Sequence, residues 1–334
     1  MLGNKTITTI GSAVMDIMFY SEEFNIINNS KDVTRKKLLG FEFGAKIISD
    51  DVHFTHGGGA VNAAVTFARQ GLPVQVLSCV GNDEAGRDII GLLRHNHIGH
   101  QLVQISRDKH TAVSWIVNST KLADHIAFFY PGARSELEIS PRTVKALRTP
   151  WIYCTSLTGV KKLPQALQAL FIHAAKHDQR LAWNPGVGEL ELGYSKLKKL
   201  FALTYVLIVN LDEALQLLQS AGVKHLATLP PRGVVKKLHS LGQTITVVTN
   251  GEKGAYVYDG RTLLFKSALK NIKVVNTAGA GDAFGSGLVS GLIRYKGNVS
   301  RALSLAVYNS GSVVTHYGAQ AGILTTAKIQ SLNL

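Results

Sequence analysis

The stretch Asn276–Leu292 reads NTAGAGDAFGSGLVSGL and sets one carboxylate, Asp282, between tiny residues and an apolar, glycine-spotted run. Gly279, Ala280 and Gly281 let a backbone approach a ligand closely. The helix that follows offers unpaired N–H groups and the positive end of its dipole. Such a mouth suits an anion. An aspartate beside a bound anion is repelled by it, so Asp282 needs a role of its own. It can take the proton from an attacking hydroxyl while the amides stabilise charge on a transferred phosphoryl group. An aspartate ahead of a helix also serves as an N-cap. The small residues before Asp282 shift the reading from cap to base.

A second glycine cluster, Thr55-His56-Gly57-Gly58-Gly59-Ala60-Val61-Asn62, opens another helix. Gly58 admits a polyol to the backbone, and Asn62 offers a donor and an acceptor to its hydroxyls. A plain tight turn would use the same residues. Asn210 closes the run YVLIVN, and Glu213 follows one helical turn later, so both aim at one place. They suit a hydrated magnesium ion and the phosphates it bridges, or simply an acidic helix start. Thr249 closes TITVVT and leads into NGEKG. Two lookalikes fail. Gly81–Asp88 has P-loop spacing but carries Arg87-Asp88 where phosphates need Lys-Ser/Thr. His95, His97 and His100 have no cysteine pair or carboxylate to complete a metal site.

The elements that must position these residues follow from patterning. A first strand is expected from Thr6 to Val14, ending at Met15-Asp16. A helix is expected over 61–71, a strand over 74–80 and a helix over 87–95. Alternating strands are expected at 111–118 and 125–130. After Pro150, strands at 181–183, 206–209 and 245–248 alternate with helices, a short strand Lys273-Val274-Val275 precedes the glycine-rich turn, and the C-terminal third is helical. This alternation predicts an α/β fold with a doubly wound, mostly parallel sheet flanked by helices. Ligands of such sheets sit beyond the carboxyl ends of the strands, where Asp16, Asn210, Thr249 and NTAGAGD all fall. Residues 17–55 and 111–130 break the alternation and are expected to form a small β lid on a single domain spanning 1–334. An exposed lid edge invites pairing with a second copy, so a homodimer is expected.

Composition bounds the rest. A chain of 334 residues, 46% hydrophobic and 17% charged, can bury a large core. Its 2 cysteines, Cys79 and Cys154, lie in apolar runs and read as buried thiols of a cytoplasmic protein. Neither a signal peptide nor a membrane span is expected. The net charge is +14, from 36 Lys+Arg against 22 Asp+Glu. The basic residues form short clusters without the interleaved aromatics of a nucleic-acid platform, which leaves small anionic ligands as the better explanation.

Taken together, these stretches resemble the PfkB carbohydrate kinase family, the ribokinase-like kinases. The resemblance runs in order along nearly the whole chain. It comprises Gly11-Ser12 with Asp16, GGGAVNAA with Asn62, VGNDEAG at 80–86, Asn210-Leu211-Asp212-Glu213, Thr249-Asn250-Gly251-Glu252-Lys253-Gly254 and NTAGAGD, close to the family's DTxGAGD. It implies transfer of the γ-phosphoryl group of Mg-ATP to a hydroxymethyl group of a sugar. By this likeness Asp282 is the base, and Gly279, Ala280, Gly281 and the Asp282 amide form the anion hole. Asp16, Gly58 and Asn62 would hold substrate hydroxyls, Asn210 and Glu213 would serve magnesium through water, and Thr249, Gly251 and Asn309 would line the nucleotide site. A nucleoside is the alternative acceptor, with Trp115, Phe128, Phe129 and Tyr130 as candidate stacking partners. A non-catalytic nucleotide- or nucleic-acid-binding protein is the reading from another class, and the intact Asp282 argues against it. Asn276 stands where the family usually has aspartate, a position associated with a monovalent-cation site. An amide offers an oxygen without charge, so potassium activation is expected to be weak or absent.

Overall fold

Short apolar runs such as Trp151–Cys154 and Val206–Asn210 form strands buried on both faces, the pattern of a parallel sheet covered by helices on each side. The computed structural model of the chain describes residues 6–21, 25–28, 37–119 and 125–334. Its large sheet has 8 strands. Val74–Leu77, Ile7–Ile10, Trp151–Cys154, Arg180–Trp183, Val206–Asn210 and Ile245–Thr249 lie side by side in parallel. An antiparallel hairpin, Ala255–Tyr258 and Leu263–Lys266, closes one edge. Helices Gly59–Arg69, Ala280–Arg294 and Val299–Val313 bury Val61, Phe67, Leu288 and Val307 against one face. Helices Leu163–Lys176, Gly193–Phe201, Leu211–Ser220 and Pro231–His239 cover the other, where the Trp183 and Phe171 rings meet edge to face at 5.0 Å. Among the described residues no helix is long and apolar enough to cross a membrane.

A second sheet of 4 strands stands apart: His125–Tyr130, Ala112–Ser119, Val14–Ser21 and Asp51–Gly57 in that order. Its middle pair is parallel and its outer pairs antiparallel. Asp16 on one central strand is registered with Thr55 and Ser114 on its two neighbours. Parts of the 17–55 and 111–130 stretches lie outside the described residues.

Several boundaries differ from expectation for local reasons. Thr6 to Val14 is not one strand. The core strand ends at Ile10, and at Gly11, whose φ is +147°, the backbone presses on Thr155 so closely that a Cβ would collide with its hydroxyl. The chain then crosses to the second sheet, so Asp16 lies within a strand of that sheet rather than after a core strand. The 17–55 stretch contributes to Val14–Ser21 and contains Asn25–Asn28, Lys37–Gly40 and most of Asp51–Gly57. Residues 74–80 split at Ser78, which donates to the Gly11 carbonyl oxygen (2.7 Å). Lys273–Val275 forms no strand. The Val275 and Asn276 amides donate to the Val314 carbonyl oxygen at 2.8 and 3.3 Å, with no neighbouring strand to extend the pairing.

The glycine-spotted helix Ala280–Arg294 is buried along most of its length. Its small residues let it lie directly on Val299–Val313. A Cβ at Gly291 would sit 2.5 Å from Ala302 Cα. Gly291→Ala should therefore force the two helices apart and cost about 1–3 kcal/mol of stability. A thermal melt should show Tm lowered by several degrees, and an unchanged Tm would mean the contact is slack.

Candidate active site

The turn 276–282 is fixed by its own residues and by the neighbours it touches. Asn276 Oδ1 accepts from the Ala278 amide at 2.8 Å, while its Nδ2 lies 3.4 Å from the Tyr20 hydroxyl of the second sheet. Gly279 takes φ +73°, and a Cβ there would collide with Ala319, so glycine is required twice over. The helix begins at Ala280. The Ala280 amide donates to the Thr277 carbonyl oxygen (3.2 Å) and is thereby spent within the turn. The amides of Gly279, Gly281 and Asp282 have no acceptor among the described residues and remain for a ligand. The expected anion hole is thus narrower by one donor.

Asp282 Oδ2 accepts from Asn62 Nδ2 at 2.8 Å. The other end of that amide, Asn62 Oδ1, accepts from Gln320 Nε2 at 3.0 Å, and Gln320 also donates to the His56 carbonyl oxygen at 2.6 Å. Asn62 is buried and orients the carboxylate. Gln320 was not expected at the site, and nothing in its surrounding sequence marks it. Burial raises the Asp282 pKa above its ordinary value, and the Asn62 hydrogen bond pulls it back. Burial and then the Asp282 charge push Asp16 up from 3.8 to about 7. Gly58, at φ +90°, lies with its Cβ position 2.6 Å from the Ser12 carbonyl oxygen, which lets strand and helix meet at the cavity wall.

Asp16, Gly58, Asn62, Gly279 and Asp282 share a cavity of about 230 Å³ between the two sheets. Ser12, Thr55, Ser114, Phe129 and Arg134 complete its polar and aromatic wall. Of the aromatic residues Trp115, Phe128, Phe129 and Tyr130, only Phe129 lines it, because strand alternation turns its neighbours away. On the other side of the same turn lies a cavity of about 410 Å³, lined by Thr249, Gly251, Ala280 and Gly281 together with apolar residues such as Leu269 and Phe284. The turn is the partition between the two cavities.

Three expected positions fall elsewhere. Asn309 does not line the larger cavity. It is fully buried, donates to the Ala283 carbonyl oxygen (2.8 Å), and accepts from Gln70 Nε2 (3.1 Å) and the Leu324 amide (3.0 Å). The helix face that does line the cavity carries Val307, Ser310, Gly311 and Val314, one helical period apart. Asn210 and Glu213 form a reciprocal cap at the start of Leu211–Ser220. Asn210 N donates to Glu213 Oε2 at 2.8 Å, and Glu213 N donates to Asn210 Oδ1 at 2.9 Å. They line neither cavity. Burial raises the Glu213 pKa. Its second carboxylate oxygen has no partner among the described residues, which suits a contact through water and excludes a closed metal cage built from this pair. Among the described residues no group of three His, Cys, Asp or Glu could hold a metal ion. Asp83 caps helix Glu84–His95 and binds Thr111, so the P-loop lookalike is a structural turn. Cys79 and Cys154 are buried and unpaired.

A carboxylate at a helix mouth thus stands beside unpaired amides, with a cavity on each side of its turn. A family model described as pfkB family carbohydrate kinase matches residues 4–327. The ATP-dependent 6-phosphofructokinase of Thermoanaerobacterium thermosaccharolyticum is 24% identical over 285 residues, covering 83% of this chain and 84% of that one. The Burkholderia thailandensis nucleoside kinase bound to inosine superimposes with TM-score 0.79 at 19% identity, covering 98% of this chain and 97% of the other. Arabidopsis thaliana ribokinase with ribose and ATP gives TM-score 0.78 at 17% identity, covering 98% of each chain. The chain belongs to the pfkB family of carbohydrate kinases, and its activity is ATP-dependent phosphoryl transfer to a sugar or a nucleoside.

The raised pKa of Asp16 carries a sign. A carboxyl titrating near 7 when folded and near 3.8 when unfolded favours folding in its protonated form; that contribution is whole below about 3.8 and is lost progressively as pH rises to about 7. Asp16→Asn keeps the neutral shape at every pH. It should raise Tm relative to the natural protein by more at pH 8 than at pH 5. An equal difference at both values would mean that Asp16 is ionised throughout.

Proposed function

We propose that the chain phosphorylates a hydroxymethyl group of a sugar, with Asp282 as the general base. The observation that carries this reading is the single turn that walls both cavities: Gly281 faces the larger and Asp282 the smaller. ATP occupies the larger cavity, its adenine end among the apolar residues and its phosphates toward Gly281. The acceptor occupies the smaller, held through hydroxyls by Asp16 and the short side chains Ser12, Thr55 and Ser114. The acceptor hydroxyl gives its proton to Asp282, its oxygen attacks the γ-phosphorus, and ADP leaves. The free amides of Gly279, Gly281 and Asp282 stabilise the charge on the transferred group. Glu213, through its uncommitted carboxylate oxygen, would hold through water a magnesium ion whose charge would offset that of the nucleotide phosphates.

The short hydroxyl side chains and two carboxylates of this wall suit a polyol. Val14, Met18 and Ile116 add an apolar side, and a single aromatic ring offers a nucleoside base little stacking. The nucleoside reading keeps one supporting observation, Phe129 at the cavity wall. We further propose that the second sheet is a lid that closes over the acceptor and excludes water during transfer. Release of ADP from Mg-ATP, measured with sugars, sugar phosphates and nucleosides in turn, separates the two acceptor classes.

Asp282→Asn should keep the fold and nucleotide binding while turnover falls by about 10²–10⁴. Near-normal turnover would leave Asp282 only a capping role. Gly281→Ala divides stability from function. A Cβ at Gly281 meets no atom within 4 Å, so alanine, the better helix former, should hold or raise stability by up to about 1 kcal/mol. The same Cβ projects into the space assigned to the phosphates, and turnover should fall by about a hundredfold. Unchanged turnover would remove the phosphates from this face of the turn.

A further inference from the structure

One charged side chain in the smaller cavity has no part in the transfer just described. Arg134 lies in the short turn Gly132–Glu136, directly after the lid strand His125–Tyr130. It is only 8% exposed and lines the cavity with Asp16, Asn62 and Asp282. Its Nη2 donates to Ser156 Oγ at 2.9 Å and to the Ser156 carbonyl oxygen at 3.3 Å. The guanidinium carbon is 5.4 Å from the centre of the Phe129 ring. Its Nε is buried and has no hydrogen-bond partner, and no carboxylate of a described residue forms an ion pair with it.

A buried guanidinium without an anion is costly, and its five N–H groups form a fork shaped for a carboxylate or a phosphate. The nearest compensation comes from the field of buried Glu189, which supports the Arg134 charge against burial. Glu189 makes no ion pair with it, because its oxygens accept from the Leu157 and Gly186 amides and from Thr158 Oγ1. The guanidinium is therefore positioned by Ser156 and the Phe129 face, and it lines the cavity with no anion paired to it.

We propose that Arg134 selects an acceptor carrying an anionic group, a carboxylate or a phosphate ester, in addition to the hydroxymethyl group that is phosphorylated. This rests on the reading of the smaller cavity as the acceptor site. The two carboxylates Asp16 and Asp282 repel an anion from their part of the cavity, which orients such an acceptor with its charge at Arg134 and its neutral hydroxymethyl end at Asp282. An acceptor lacking the anion leaves the guanidinium desolvated and unpaired, and is disfavoured for that reason.

The test uses the purified protein with Mg-ATP and two matched pairs: fructose against fructose 6-phosphate, and glucose against gluconate. The first pair probes a phosphate and the second a carboxylate. The expected result is that kcat/KM favours the anionic member of at least one pair by about ten- to hundredfold. Arg134→Gln should erase that preference mainly through KM, and Arg134→Lys, which keeps the charge without the fork, should retain part of it. A second readout avoids catalysis: without nucleotide, the anionic acceptor should raise Tm of the natural protein and lose that effect in Arg134→Gln. Preference for the neutral member of both pairs overturns the proposal and leaves the kinase reading intact. So does an Arg134→Gln variant that slows both members of a pair equally, the mark of a purely structural role. No transfer to any sugar, sugar phosphate or nucleoside overturns the acceptor-site reading and the proposal together.

Discussion

The site depends on one hydrogen bond, from the Asn62 amide to the Asp282 carboxylate, made between the first turns of two buried helices. Each helix is brought to that meeting point by a glycine. Gly58 lets the first approach the Ser12 backbone, and Gly279 lets the second approach Ala319. The amide is in turn held by Gln320, so the carboxylate is aimed by a chain of contacts rather than by its own rotamer alone. Burial raises the pKa of a carboxylate so enclosed, and the Asn62 hydrogen bond opposes that rise.

The same enclosure creates an electrostatic problem. Two carboxylates and one guanidinium line a cavity of about 230 Å³, and the like charges of Asp16 and Asp282 oppose each other. Burial and the Asp282 charge push Asp16 up to about 7, so a proton on Asp16 relieves this opposition below that pH. The surplus of basic residues in the chain, 36 against 22 acidic, lies outside this acidic pair and favours the approach of polyphosphate to the protein as a whole.

How far the sequence disclosed the site depended on the kind of signal. Asp282 and the glycines before it were legible as a turn opening a helix, and the structure forms that turn between the two cavities. Asp16 was found as a site residue and assigned to the wrong element, since a change of sheet at Gly11 leaves no break in the apolar run. Asn210 and Glu213 were legible as a pair, but spacing alone does not distinguish a cap from a metal contact, and the structure forms the cap. Asn309 shares a helix with the residues that face the larger cavity, and only the phase of that helix turns it inward. The Lys273–Val275 run looks like a strand because it is apolar, yet it has no partner strand. Gln320 and Arg134 were invisible, because a glutamine or an arginine in a loop ordinarily reads as surface. In the sheet the order of strands follows the alternation of apolar runs, while the antiparallel hairpin at the edge was not foreseen.

The chain passes from the core strand Ile7–Ile10 into the second sheet within three residues and returns to the core at Gly57. Asp16, Thr55, Ser114 and Phe129 therefore belong to one module, while Asp282, Gly281 and the walls of the larger cavity belong to another. The core module is constrained on all sides by close helix contacts, so most changes there are penalised through stability. The second module is an insertion between core elements, with many outward positions that bear little packing. If the smaller cavity holds the acceptor, as proposed, mutation can drift through this module at small cost and alter which hydroxyls are recognised while the turn at Asp282 stays as it is. A scaffold divided in this way can acquire new acceptors by editing one sheet.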